Sequence, residues 1–538
     1  MLKRHRVYVI STALMVLLVA LGVAAPRAFQ RTSEAVLNTL GHYFGWFYLI
    51  STFVFVVFLL GLAMSRYGKI RLGPQNSAPE YGVFSWLSML LSAGFGVGLV
   101  FYGMAEPIQH LTEPPHGMAE PGSAGAATLA MQYSFFHWGM NQWAAFTLVG
   151  LIIAFFQFRK DRPGLVSTMV EPATVNLPGR QGISDSLDVL AVVATVMGVA
   201  TSLGLGILQM NGGLHTVFGW ADNFWTKAAI LGAMFVCYTA SSYSGLDKGI
   251  RVLSNLNMAL CLGFMGYMLI TGPTVLILEN FVNGLGAYLG NYIEMALTIP
   301  PMEDRDWMNR FTLFYWAWVI AWSPFVGTFV ARISKGRTIT EYVLGVLLVP
   351  PLMACAWIAV FGTTALDLQL NGGVDLTGPV ADDVANALFQ MYQSLPFSTF
   401  LSGITMLILF VFLVTSADSA SYIVSQMTDH GSLNPPLYKR LTWGVLISAI
   451  CLTLIVASGL KGLQSASLLA ALPFAMVLFL MMGVLMSQLR ADRRAMLVEL
   501  YQRNAETPVG ADLFEADDFT DLPPEKRIRQ RLNFKRKP

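Results

Sequence analysis

Twelve long runs of apolar residues, none holding more than one charged residue, constrain this chain more than any other feature. They lie at about residues 7–25, 46–64, 86–104, 135–158, 187–208, 228–240, 253–270, 311–330, 342–361, 400–424, 441–456 and 468–485. A run of ~20 such residues matches the hydrocarbon thickness of a bilayer, where backbone N–H and C=O groups find no water and a helix must satisfy them within the segment. The chain therefore reads as an all-α polytopic membrane protein with twelve transmembrane helices. Composition agrees: 12% of its 538 residues are charged, against ~25% in a soluble domain, which excludes a soluble enzyme. Lys and Arg (34) nearly balance Asp and Glu (32), so nothing points to a nucleic-acid partner. Cys237, Cys261, Cys355 and Cys451 sit in separate apolar runs and suggest neither a disulfide framework nor a zinc site. The first run follows Lys3, Arg4, His5 and Arg6 like a signal peptide, but it exceeds the roughly 7–15 apolar residues of one and is read as a span.

Cytoplasmic loops collect Lys and Arg, so the basic residues test the count of spans. With twelve spans, seventeen of the 34 basic residues fall in one set of loops, among them Arg66, Arg159, Arg251, Arg332 and Arg440, and six in the other set. The remaining eleven follow Leu489 in a tail on the first side. This predicts a multi-pass protein of the cell (inner) membrane with both termini cytoplasmic. Residues 272–308 hold a glycine-punctuated apolar run, 282–299, which reads as an amphipathic helix lying at the outer surface. The tail, acidic at 515–521 and basic at 526–537, reads as a solvated end or as an arm touching anionic membrane lipid.

Three clusters inside the spans carry candidate chemistry. The third span contains Ser92-Ala93-Gly94-Phe95-Gly96-Val97-Gly98, followed by Tyr102-Gly103-Met104-Ala105-Glu106-Pro107. Glycines at alternate positions either allow close helix packing or mark a broken helix, and their mid-span position favours the break. The fourth span carries Phe135, Phe136, Trp138, Trp143 and Phe146. On the eighth, Trp318, Trp322, Phe325 and Phe329 form one helical stripe that passes Pro324. Such a stripe is either packing or a surface for an onium ion, which lacks N–H donors and is held by the diffuse attraction of indole faces. The tenth span contains Phe412-Leu413-Val414-Thr415-Ser416-Ala417-Asp418. The hydroxyls of Thr415 and Ser416 either bond back to their own helix or join carbonyls of the broken third span around a sodium ion. Asp418, the one carboxylate of its run, is either a proton relay or a partner at a helix end. No zinc-protease, P-loop or nucleophile-elbow motif occurs, and the seven histidines are scattered.

Together and in order, Gly94 to Gly98 with Met104-Ala105-Glu106-Pro107, Phe136-His137-Trp138 with Trp143, Gly249 to Asn255, Trp316-Ala317-Trp318 with Trp322 to Gly327, and Thr415 to Ser419 resemble the betaine/carnitine/choline transporter (BCCT) family across about residues 7–489. The resemblance implies two five-helix inverted repeats in a LeuT-like fold, preceded by two extra helices. Residues 1–80 would hold the N-terminus and the extra helices, 81–271 and 309–489 the repeats, 272–308 the connecting helix and 490–538 the tail. It also implies homotrimers and a quaternary ammonium or zwitterionic solute.

Carried over by position, the family's aromatic box maps to Trp138, Trp143, Phe146 and Val319, with Trp318 and Trp322 beside it and Gly94, Gly96 and Gly98 opposite. Phe146 and Val319 depart from the pattern, since betaine carriers of this type have Tyr and Trp there, which leaves room for a differently shaped zwitterion. The main sodium site maps to the carbonyls of Ser92, Phe95 and Phe412 and the hydroxyls of Thr415 and Ser416. A second proposed ion site keeps Thr195 but has Val199 for its other threonine. The expectation is a symporter that imports a compatible solute such as glycine betaine, with sodium as coupling ion and no other cofactor. The alternatives are proton-coupled choline-type uptake through Asp418 and a solute-sensing membrane protein with little flux.

Overall fold

The computed structural model of the chain describes residues 5–94, 96–244, 247–299 and 305–502, and these are nearly all helical. The helices are α1 (Arg6–Ala24), α2 (Pro26–Met64), α3 (Val83–Gly94), α4 (Val97–Thr112), α5 (Ala124–Trp138), α6 (Met140–Ala154) and α7 (Val166–Thr174). Then come α8 (Arg180–Phe218), α9 (Phe224–Ser244), α10 (Asp247–Thr271), α11 (Thr274–Gly290), α12 (Tyr292–Leu297) and α13 (Asp306–Met308). The last six are α14 (Phe314–Ile333), α15 (Ile339–Leu370), α16 (Thr377–Asp382), α17 (Val384–Gln393), α18 (Ser398–Met427) and α19 (Leu437–Gln502). Phe95 and the acidic and basic stretches of the tail lie outside the described residues.

All twelve predicted runs coincide with helix. Among the described residues, however, nine helices are long and apolar enough to cross a membrane, or ten if the bent pair Asn255–Thr271 and Thr274–Gly290 is one span. The third run is divided between Gly94 and Val97 into α3 and α4, of 12 and 16 residues. The sixth and seventh runs lie in α9 and α10, of 21 and 25 residues, and α10 turns through 112° into α11.

The breaks are placed where the freed backbone groups find partners. Between α5 and α6 the chain turns at Gly139, and the first amide of α6, at Met140, donates to the Tyr288 hydroxyl of α11 at 3.0 Å. In α14, Pro324 has no N–H for the Ile320 carbonyl four residues back. The Ser323 hydroxyl donates to that carbonyl instead, at 2.7 Å, and the helix continues. Within α19 the direction changes at Gly459, whose φ of 56° and ψ of −140° suit a residue without a Cβ.

Glycines bring helix backbones into direct contact. A Cβ on Gly150 of α6 would lie 2.9 Å from the Gly327 carbonyl of α14, and one on Gly327 would lie 2.9 Å from the Gly150 amide, so the two backbones touch. A Cβ on Gly198 of α8 would lie 2.7 Å from the Trp322 amide nitrogen. This three-helix contact fixes α14, and with it the aromatic stripe, between α6 and α8.

Gly198→Ala should therefore cost about 1–3 kcal/mol, since backbone on both sides cannot yield to the added methyl. Gly232→Ala on α9, where a Cβ meets nothing within 4 Å, should be neutral or stabilising by up to about 1 kcal/mol. Thermal unfolding of the two variants in detergent measures the difference.

Candidate functional site

The broken third run brings α4 directly onto the aromatic stripe. Gly96, just before α4, is extended (φ −129°, ψ 172°), a conformation open to any residue. The close approach is at Gly98, where a Cβ would lie 2.2 Å from Trp318 and 3.1 Å from Trp138. At Gly96 the corresponding distance, to Trp322, is an ordinary 3.7 Å. Both glycines thus face the indoles, but the steric demand falls on Gly98. Gly94 closes the last turn of α3.

The rings form one connected wall. Phe314, Trp318 and Trp322 stack along α14 with centroids 5.7 and 5.8 Å apart. Trp138 meets Trp318 edge-on at 6.3 Å, and Phe146 meets Trp322 edge-on at 5.7 Å. Trp143 joins through Phe146, at 5.5 Å. Val319, fully buried, follows Trp318 on α14 and is turned by about 100° from the stripe. Ser202 of α8 accepts from the Trp318 indole N–H at 3.1 Å and fixes its orientation. Exposure along the stripe rises from 1% at Trp318 to 9% at Phe325 and 37% at Phe329. Gly96, Trp322, Thr415 and Ser416 are also partly exposed. The wall is therefore sealed at its Phe314 end and opens toward the Arg332 end.

The proposed ion ligands lie beside the break. A Cβ on Gly206 of α8 would meet Val97 at 2.8 Å and Leu413 at 2.5 Å, so the first residue of α4 and the neighbour of Phe412 converge on one point. The Thr415 hydroxyl donates back to the Val411 carbonyl at 2.8 Å. That bond uses its proton and leaves lone pairs for a cation, so Thr415 remains a suitable ligand beside Ser416 and the Phe412 carbonyl. Ser92 lies in the last turn of α3, while Phe95 lies outside the described residues. Thr195 is buried and bonded to the Ala191 carbonyl at 2.7 Å. Asp418 is not the isolated carboxylate it resembles in the sequence: the Arg440 guanidinium lies 3.8 Å from it.

The sequence reading gave no role to Glu106, which the fold makes the centre of a buried network. Its carboxylate accepts from the Trp138 indole (2.8 Å) and the Tyr315 hydroxyl (2.6 Å), and faces ring nitrogens of His137 (2.6 Å) and His110 (3.2 Å). Its motif was visible in the sequence. Its partners on α5 and α14, 31 and 209 residues away, were not.

The chain's relatives are transporters rather than enzymes. The betaine/carnitine/choline family transporter profile matches residues 6–494. The chain belongs to the betaine/carnitine/choline transporter family. It is 50% identical to the ectoine/hydroxyectoine transporter of Virgibacillus pantothenticus over 477 residues, 89% of this chain and 95% of that one. It is 43% identical to the glycine betaine transporter OpuD of Bacillus subtilis (strain 168), covering 88% of this chain and 92% of that protein. The osmo-dependent choline transporter BetT2 of Acinetobacter baylyi is 35% identical, with 91% and 72% covered.

Gly98→Ala should weaken equilibrium solute binding about tenfold, roughly 1.4 kcal/mol, by forcing Trp318 or Trp138 off its position. Gly96→Ala should change it less than about threefold. Scintillation proximity binding on purified protein compares the two, and equal effects would remove the special role of Gly98.

Proposed function

We propose that the protein is a sodium-coupled symporter that imports a compact zwitterionic compatible solute, with ectoine-type amidinium carboxylates preferred over glycine betaine. The observation that carries this reading is the contact of Gly98 with Trp138 and Trp318, which sets the start of a broken helix against an indole wall. The first amides of a helix have no intrahelical acceptors and favour an anion. The α4 N-terminus is thereby suited to a carboxylate, while the indoles attract the cationic end. In the transporters of this class solutes bind at such interrupted helices between two inverted repeats, and this chain is read as having the same arrangement.

The preference for ectoine rests on the shape of the wall and on the relative at 50% identity. A quaternary ammonium is isotropic and gains from rings on every side, whereas Val319 withholds one of the aromatic faces expected of a betaine carrier and Phe146 keeps its ring but lacks the hydroxyl. A flat amidinium needs only the ring faces that Trp318 and Trp322 provide, whose planes lie within 9° of parallel. With both termini cytoplasmic, the Arg332 end faces the cytoplasm and the conformation is open inward. Sodium is favoured over protons because Thr415 and Ser416 stand beside the break, while Asp418 is engaged with Arg440.

Proteoliposomes tested with labelled ectoine should show uptake that requires an inward sodium gradient and is inhibited more strongly by unlabelled ectoine than by betaine or choline. Thr415→Ala or Ser416→Ala should raise the sodium concentration for half-maximal uptake about tenfold, the loss of one ligand at about 1.4 kcal/mol. Uptake that persists without sodium, follows a pH gradient and disappears in Asp418→Asn would transfer the coupling role to Asp418.

A further inference from the structure

The buried cluster around Glu106 lies at the sealed end of the aromatic wall. Glu106 and His110 come from α4, His137 and Trp138 from α5, and Tyr315 from α14, while Thr312 lies in the turn Asn309–Leu313 that runs into α14. Glu106, His110 and His137 are fully buried, and Thr312 is 3% exposed. A carboxylate survives there only if each oxygen is hydrogen-bonded. Oε2 accepts from the Trp138 indole and the Tyr315 hydroxyl, and Oε1 from His137 Nδ1 and His110 Nε2. His137 Nε2 then accepts from the Thr312 hydroxyl at 2.9 Å. Separations of 2.6–3.2 Å between these groups are those of hydrogen bonds. The carboxylate is thereby fully occupied by donors, which leaves no vacant lone pair for a metal.

We propose that Glu106 positions the solute wall and latches the closed gate on its far side. Positioning follows from the indole of Trp138: its N–H end is held by Glu106, and its far edge lies against Gly98, so α4 fixes it at both ends. Latching follows from the pattern of bonds across helices. Glu106 binds α5 through an indole and an imidazole. Among the described residues, α14 and its leading turn join the network by two neutral hydroxyls, Tyr315 and Thr312. Rupture of those two bonds frees α14 from the α4–α5 pair and leaves the carboxylate with three donors. A further polar tie at this end, Arg310 with Glu113, is about half exposed and weak by comparison. The latch rests on the reading of the protein as an alternating-access transporter, in which this seal must open toward the side opposite the Arg332 end.

The experiment reads gate opening directly. Ser134 is fully buried and one turn before Trp138 on the same face of α5, and its hydroxyl has no partner among the described residues. Ser134→Cys is therefore a near-isosteric reporter. A membrane-impermeant thiol reagent is applied to the side opposite the Arg332 end of the full chain in liposomes, and modification of residue 134 is read by mass spectrometry. Thr312→Val with Tyr315→Phe should raise the modification rate at least fivefold over the reporter alone, while the KM for solute stays within twofold. Glu106→Ala should raise both the rate and the KM, and Glu106→Gln should partly restore both, because the amide can still accept from Trp138 while the imidazoles switch tautomer. An unchanged rate in folded Thr312→Val/Tyr315→Phe protein overturns the latch, even if Glu106→Ala fails to fold. A raised rate in a protein that moves no solute leaves the latch standing and refutes the transport reading.

Discussion

Every main-chain polar group in the apolar interior of this bundle must find a partner inside the protein, and the rest of the structure follows from that constraint. Helix is the default solution. Two departures show something else supplying the bond: the Tyr288 hydroxyl at the start of α6, and the Ser323 hydroxyl beneath Pro324. The break between α3 and α4 differs because it faces the aromatic wall. The departure that creates the site thus follows the same rule, with a solute or an ion as the partner it is suited to receive.

Glycine acts here mainly through the space it leaves. The mutual contact of Gly150 and Gly327 and the seat of Trp322 on Gly198 hold α14 against α6 and α8. Gly98 then lets α4 approach the indoles those contacts have fixed. A chain with alanine at these positions would keep its hydropathy and lose the register between broken helix and wall, because packing at backbone distance tolerates no added methyl.

Charge within the bundle is placed in pairs and networks. Asp492 binds Arg159 and Lys160 where α19 meets the turn after α6, at 2.5 and 2.6 Å. Lys439 binds Asp429 at 2.8 Å, and Asp418 faces Arg440. Glu106, the most deeply buried of these acids, is instead met by donors of three helices. Its bonds hold Trp138 in the wall and tie α14 to α4 and α5 at the sealed end, so one side chain serves both the shape of the site and its closure.

The sequence by itself determined the class of the protein. Run length and scarcity of charge made it a helical membrane protein, and glycine, indole and hydroxyl clusters in three runs marked Gly98, Trp138, Trp318 and Thr415, because each signal is local and periodic. The course of the spans was less legible, since the division between Gly94 and Val97 and the 112° bend before α11 depend on what each segment packs against. Tertiary structure alone decided that Gly98 rather than Gly96 bears the steric contact, that Asp418 has Arg440 as its neighbour, and that Glu106 gathers donors from α5 and α14. Those facts join residues tens to hundreds of positions apart. Hydropathy and spacing register what a residue is and which face of its own helix it occupies, but a hydrogen bond or a backbone contact is settled only when a second helix arrives.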